Sequence, residues 1–196
     1  MLNQAHTARM SDLPSPAATD RLFFALRPDA NAASHIGPVA DALRTAHGLR
    51  APVLAAPRWH VTLCFLGDFA GVPPGVLDAS IRAGAGLDGA GAFDVVFDRA
   101  GSFEGRRSRR PLVLRGGDEA LSTLAAFRAR LAAALADAGV PFDDRPYVPH
   151  LTLLYDTTAV ADQPVAPVTW RADAFELVRS RIGHGVHDVL GRWSLL

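Results

Sequence analysis

Lysine is absent from the 196-residue chain, and its 20 arginines are balanced by 20 acidic residues. The formal net charge of zero excludes broad electrostatic capture of long nucleic acid. Because Cys64 is the single cysteine, an intramolecular disulfide and a cysteine-rich metal site are also excluded. The sequence contains no apolar run long enough to span a bilayer and no glycine-rich phosphate loop between a strand and a helix.

These absences predict a cytoplasmic, reduced protein without a membrane segment. Residues 1–19 lack an apolar core of signal-peptide length and are rich in Pro, Ser, Ala and Thr, so we expect a disordered tail there. No low-complexity linker interrupts residues 20–196, which we expect to form a single domain in a monomeric protein.

Strand and helix patterns alternate in an order that repeats once along the chain. A strand at Arg21–Leu26 is followed by a helix with Asp29 as its N-cap and Gly48 as its stop. A motif strand, a helix, two strands, a long helix, a second motif strand and two terminal strands come next. The order predicts an α+β fold with two pseudo-symmetric lobes, each an antiparallel sheet backed by helices, and a central cleft between them.

The two motif strands carry the same four-residue pattern, His-aliphatic-Thr-Leu. "PRWHVTLCFLG" begins at Pro57, and "YVPHLTLLYD" begins at Tyr147. Side chains two apart share a strand face, so His60 lies roughly 6–7 Å along the strand from Thr62, and His150 lies likewise from Thr152. Two such strands meeting at a pseudo-twofold axis would present two imidazoles and two hydroxyls to one small volume.

That set of groups suits the cleavage of a phosphodiester. One histidine can remove a proton from the attacking oxygen while the other delivers a proton to the leaving oxygen, since histidine titrates near neutral pH. The threonine hydroxyls can donate to the non-bridging phosphate oxygens, and no metal or other cofactor is required. Either motif alone is more often an ordinary packed strand, but the pair rarely arises by chance.

With these motifs the chain resembles the two-histidine (2H) phosphoesterases, and within them the RNA 2′,3′-cyclic phosphodiesterases, also called 2′-5′ RNA ligase-like proteins. The resemblance extends over residues 21–196 and includes "RLFFALRPD", "AGSF", "PLVLRG" and the closing "LGRWSLL". It implies hydrolysis of RNA or nucleoside 2′,3′-cyclic phosphates to 2′-phosphates, with 2′-5′ ligation as a possible reverse step. It further implies that His60 protonates the departing 3′ oxygen, His150 activates water, and Thr62 and Thr152 bind the phosphate.

Two alternatives stay open. The first is a phosphodiesterase for another small ester, such as a 2′-5′-linked oligonucleotide or an ADP-ribose cyclic phosphate. The second is a protein that binds RNA ends without turnover. The chain also departs from many relatives, which carry an arginine where this sequence has Tyr155. The missing charge could come from Arg145, from Arg58 or from the arginine-rich turn Gly105–Arg110.

Four further features have both a functional and a structural interpretation. Cys64 has the strand parity of His60 but lies roughly 13 Å along the strand from it, which favours an inert, packed thiol over a nucleophile. Phe103 and Tyr147 could stack on a base, although core packing explains them equally well. The arginine-rich turn is either a solvated hairpin tip or a local contact for RNA phosphates.

The carboxy-terminal sequence "GHGVHD" has the composition of a metal site. His184, His187 and Asp188 could supply ligands, but zinc needs a further ligand at a defined spacing, and the sequence offers none. We therefore expect one histidine in a turn, one in a strand, and no metal.

Overall fold

The structure is a computed structural model that describes residues 17–103, 109–117 and 121–196. Most of the predicted tail, residues 1–16, and most of the arginine-rich turn, residues 105–108, lie outside the described residues. The described residues form eight strands and three α-helices. In chain order these are β1 (Asp20–Leu26), α1 (Ala30–Ala46), β2 (Val61–Phe69), α2 (Pro74–Ala85), β3 (Phe93–Ser102), β4 (Arg110–Arg115), α3 (Ser122–Asp137), β5 (Leu151–Asp156), β6 (Gln163–Ala172), β7 (Ala174–Arg181) and β8 (Val186–Ser194).

The eight strands form one antiparallel sheet in the order β6-β3-β4-β5-β2-β1-β7-β8. The motif strands β2 and β5 are its two central strands, and each is the inner edge of a four-stranded half. Within the described part of the sheet, Val61 and Leu151 are the single residue pair through which β2 and β5 are bridged. The α+β fold with two related halves is therefore confirmed. The other residues of β2 and β5 do not pair with one another. Several of them line the space between the two halves instead.

The helices form where the sequence predicts them and pack across the two halves. The Asp29 carboxylate accepts a hydrogen bond of 2.7 Å from the amide of Ala32, which caps α1 as predicted. One face of α1, which includes Ile36 and Leu43, is buried. Although α1 follows β1 in the chain, it packs against β6 in the other half, whereas α2 packs against β7 and β8. The terminal strands β7 and β8 form a hairpin that turns at Gly183 and Gly185, which both have positive φ.

A close approach between α2 and β8 gives a test of the packing. A Cβ on Gly84 would lie 2.6 Å from the ring of Trp193, whereas a Cβ on Gly75 in the same helix would meet nothing within 4 Å. We expect Gly84→Ala to lower the free energy of unfolding by about 1–3 kcal/mol, since the ring must move within a packed core. Gly75→Ala is the matched control and should be neutral or stabilising. Urea unfolding of both variants would measure this, and equal effects would contradict the contact.

Candidate active site

The two motif histidines occupy equivalent positions in the two halves. His60 immediately precedes β2, and His150 immediately precedes β5. The antiparallel pair Val61 and Leu151 sets the register between them. In that register Thr62 lies opposite His150, and Thr152 lies opposite His60. The antiparallel direction of this pairing therefore puts each motif histidine at the level of the motif threonine of the other half.

All four motif side chains line one cavity of about 500 Å³, here called the central cavity. The structure thus brings together every residue that the sequence singled out as catalytic or phosphate-binding. Their chemical roles remain predictions.

The two imidazoles are held in the same orientation by the backbone. Nδ1 of His60 lies 2.7 Å from the carbonyl oxygen of Arg58, and Nδ1 of His150 lies 2.7 Å from that of Val148. A carbonyl oxygen can only accept, so each Nδ1 carries the proton and donates it. In the neutral ring Nε2 is then an unprotonated acceptor. Both histidines therefore have the tautomer that can take up a proton at Nε2.

Each motif strand contains a β-bulge directly after its threonine. In the pairing of β2 with β1, Leu63 has no partner residue, and in the pairing of β5 with β4, Leu153 has none. A bulge adds one residue to one strand, so the residues beyond it change face. Phe65 and Tyr155 consequently line the central cavity. Because the same bulge follows the threonine in both strands, the two motifs are equivalent in strand pairing as well as in sequence.

The bulge corrects one prediction from strand parity. Cys64 was expected on the same face as His60, but it lies in the hydrophobic core, with 1% of its surface exposed. Burial raises the pKa of its thiol to about 11, so the thiolate is scarce at neutral pH. The interpretation of Cys64 as an inert, packed residue agrees with this position.

Burial and aromatic neighbours set the protonation of both histidines. The ring of Phe23 stacks on His60 with 4.9 Å between centroids, and Phe103 meets His150 edge-on at 4.8 Å. Burial lowers the pKa of His60 to about 4; the hydrogen bond to the Arg58 carbonyl opposes this effect, and the charge of Arg27 adds to it. Burial also lowers the pKa of His150 below its ordinary value. Both rings are therefore neutral at pH 7 in the free protein.

A third histidine, whose position sequence reasoning did not foresee, also lines the central cavity. His187 is in β8 as predicted, and its ring centroid lies 5.3 Å from that of His60. Burial lowers its pKa to about 4. His184 is in the turn, and no group of three metal-binding side chains occurs in the described part of the chain. Pairing of β8 with β7 across the Gly-His-Gly turn is the sequence feature that could have located His187.

The arginines that line the central cavity differ in their ion pairing. Arg21 forms an ion pair with Asp68, and Arg145 with Asp143. Arg58, by contrast, makes no ion pair or side-chain hydrogen bond among the described residues. Arg145 and Arg58, two candidates for the missing positive charge, therefore differ. The charge of Arg145 is already neutralised by Asp143, whereas the charge of Arg58 has no acidic partner among the described residues.

Tyr155, which stands where many relatives have arginine, is also close to a cation. The guanidinium of Arg109, at the end of the arginine-rich turn, lies 4.4 Å from the centroid of the Tyr155 ring. The described end of that turn thus reaches the rim of the central cavity.

A second cavity of about 520 Å³ adjoins the first and is here called the aromatic cavity. It shares Thr62, Phe65 and His150 with the central cavity and adds Phe103 and Tyr147. The hydroxyl of Tyr147 donates a 3.0 Å hydrogen bond to the carbonyl oxygen of Thr62, which fixes this side chain against β2. The aromatic cavity therefore offers ring surfaces directly beside the second motif.

Comparisons with known proteins agree with this fold. A family model described as the 2′-5′ RNA ligase superfamily matches residues 28–183. Among curated proteins, no sequence matches significantly. No helix in the described part of the chain is long and apolar enough to cross a membrane.

Several solved structures share the fold over almost their whole length. Escherichia coli LigT complexed with 3′-AMP has 27% sequence identity and a TM-score of 0.67, covering 90% of this chain and 98% of LigT. LigT complexed with NADP+ has 28% identity, a TM-score of 0.67, and coverage of 91% and 99%. TT0787 of Thermus thermophilus, at 24% identity and a TM-score of 0.66 with 89% and 97% covered, supports the fold alone.

The fold, the paired motifs and the family match define a phosphoesterase of the two-histidine class. The chain belongs to the 2′-5′ RNA ligase superfamily.

Proposed function

We propose that this protein hydrolyses the 2′,3′-cyclic phosphate of an RNA end or a nucleotide and leaves a 2′-phosphate. The observation that supports this most directly is the central cavity, where two imidazoles of the same tautomer and two threonine hydroxyls come from related strands of the two halves. One imidazole can act as base and the other as acid, which is the requirement for opening a cyclic diester without a metal.

In the proposed reaction, water attacks phosphorus on the side of His150 and gives a proton to Nε2 of that ring. The bond between phosphorus and O3′ breaks, and Nε2 of a protonated His60 gives its proton to O3′. The non-bridging oxygens gain negative charge in the transition state, and the hydroxyls of Thr62 and Thr152 donate to them. The atoms of one water are thereby added across the P–O3′ bond.

The acid role requires a protonated His60, although the free protein holds this ring neutral at pH 7. A bound phosphate anion favours the imidazolium because opposite charges stabilise one another in a site of low dielectric. Substrate binding is therefore expected to raise the pKa of His60, so that this ring is protonated and can act as the acid. The Arg58 carbonyl oxygen further stabilises the charged ring because it accepts a hydrogen bond from Nδ1–H.

The aromatic cavity is the proposed site for the base of the substrate. Phe103 contacts His150 and lines this cavity together with Phe65 and Tyr147. Stacking on such rings contributes about 1–3 kcal/mol per base and tolerates any base. We therefore propose that the base is bound mainly by stacking, with little selectivity among the four bases.

Product analysis tests this proposal. Incubation with each nucleoside 2′,3′-cyclic phosphate in the presence of EDTA is expected to yield the nucleoside 2′-phosphate, identified by chromatography or phosphorus NMR. Unchanged hydrolysis in EDTA would support metal-independent chemistry. A 3′-phosphate product would contradict the assignment of His60 to O3′. Absence of any product, with binding of the cyclic phosphate retained, would favour the RNA-end-binding alternative.

A further inference from the structure

Arg58 is an uncompensated cation in the wall of the central cavity. Its Nε is buried and has no hydrogen-bond partner, and none of its nitrogens forms an ion pair in the described part of the chain. A Cβ built on Gly185 would lie 3.9 Å from its Nη1, which places the guanidinium against the turn between β7 and β8. A buried N–H without an acceptor costs free energy, and the guanidinium is cationic, so this half-buried position is suited to an anionic partner.

His187 lies beside Arg58 and also lacks a partner. Its Nδ1 is buried without a hydrogen bond. The short helical turn Ala56–Arg58 contacts β8, and Arg58 and His187 line the same cavity. Ser180, which pairs with His187 across the β7–β8 ladder, lines the same cavity and adds a hydroxyl. A cation, an imidazole and a hydroxyl thus form one corner of the cavity, adjacent to His60.

We propose that Arg58, His187 and Ser180 form a second anion subsite, which binds a phosphate of the substrate other than the one being hydrolysed. The favoured substrate would then be a 5′-phosphorylated nucleotide or an oligonucleotide that ends in a 2′,3′-cyclic phosphate, rather than a nucleoside cyclic phosphate.

The connectivity of ribose agrees with this placement. The inference rests on the proposed function, in which His60 faces O3′. Along the sugar, C3′ leads to C4′ and the 5′ position, whereas C2′ leads to C1′ and the base. A 5′-phosphate therefore lies on the O3′ side of the cyclic phosphate, which is the side of His60 and Arg58. The base lies on the opposite side, towards His150 and the aromatic cavity.

Kinetics with a matched pair of substrates test the subsite. Adenosine 2′,3′-cyclic phosphate and its 5′-phosphorylated form differ only in the second phosphate. We expect the wild type to have a kcat/KM about tenfold or more higher for the 5′-phosphorylated substrate, the difference expected for hydrogen bonds to a charged group. Arg58→Met and His187→Phe should each lower that ratio, and Arg58→Met should bring it close to one.

Arg21→Met is the charge-matched control. Arg21 lines the same cavity, but its guanidinium is already bound by Asp68, so the substrate ratio should stay within about twofold of wild type. An equal fall in this variant would overturn the subsite, because the cavity would then respond only to net charge. A fall in kcat/KM of Arg58→Met by the same factor for both substrates would also overturn it, and would assign Arg58 to the scissile phosphate.

A binding measurement separates failure of the subsite from failure of the proposed reaction. Calorimetry would compare adenosine 2′,5′-bisphosphate with adenosine 2′-phosphate on the wild type and on Arg58→Met, without any need for turnover. Tighter binding of the bisphosphate that is lost in Arg58→Met supports the subsite even if no cyclic phosphate is hydrolysed. Equal affinity of the wild type for the two nucleotides would overturn the subsite even if hydrolysis is efficient.

Discussion

His60→Ala and His150→Ala are each expected to lower kcat by about 10²–10⁴ for a nucleoside 2′,3′-cyclic phosphate. Each variant removes one of the two proton transfers, and the remaining imidazole cannot supply both. We expect KM to change far less than kcat, because the threonine hydroxyls still bind the phosphate. Steady-state kinetics of purified variants, with circular dichroism to verify folding, would measure the effect.

His184→Ala provides the control for this pair of variants. His184 is an exposed histidine in the turn between β7 and β8, and it lines neither cavity. Its replacement should leave kcat within about twofold of wild type. The double variant lacking both motif histidines should be little slower than the worse single variant, because the two groups act as a unit. Full activity in either single variant would remove that histidine from the mechanism.

The pH dependence of kcat/KM is expected to be bell-shaped, with its maximum below about pH 6.5. This parameter reports the free protein, and the form that is active in the proposed reaction has a protonated His60 and a neutral His150. Burial lowers the pKa of His60 to about 4 and lowers that of His150. As pH rises above these values the acid is lost, and as pH falls below them the base is lost. The active form is therefore most abundant on the acidic side of the ordinary histidine pKa.

The profile of kcat should differ from that of kcat/KM in a defined direction. In the complex the phosphate anion raises the pKa of the imidazoles, so the maximum of kcat should lie at higher pH than that of kcat/KM. Initial rates between about pH 4 and 9 at saturating and at low substrate would give both profiles. Coincident maxima would show that the bound phosphate does not change the protonation of His60.

The sequence predicted the part of this site that depends on local pattern. His60 and Thr62, like His150 and Thr152, share a face because strand periodicity operates over a few residues. The bulges could not be predicted, because the extra residue is defined only by the register against β1 and β4. Cys64 was consequently assigned to the wrong face.

The sequence likewise could not predict which residues that are distant in the chain meet in the fold. His187 is 127 positions after His60 in the chain, and the two rings meet only because β1, β7 and β8 follow β2 in the sheet. The absence of an acidic partner for Arg58 among the described residues, set against the ion pairs of Arg21 and Arg145, also depends on which side chains the fold brings together. The start of α1 could be predicted from the sequence, because the N-cap Asp29 bonds to a residue within the first turn of the same helix.

The packing of α1 against β6 makes the two halves dependent on one another. The strand that leads into this helix belongs to one half of the sheet, and the surface that the helix covers belongs to the other. A fragment cut between the halves would lose either the helix that shields β6 or the surface on which α1 rests. The packing of α1 across the halves therefore makes the integrity of each motif strand depend on the presence of the other half.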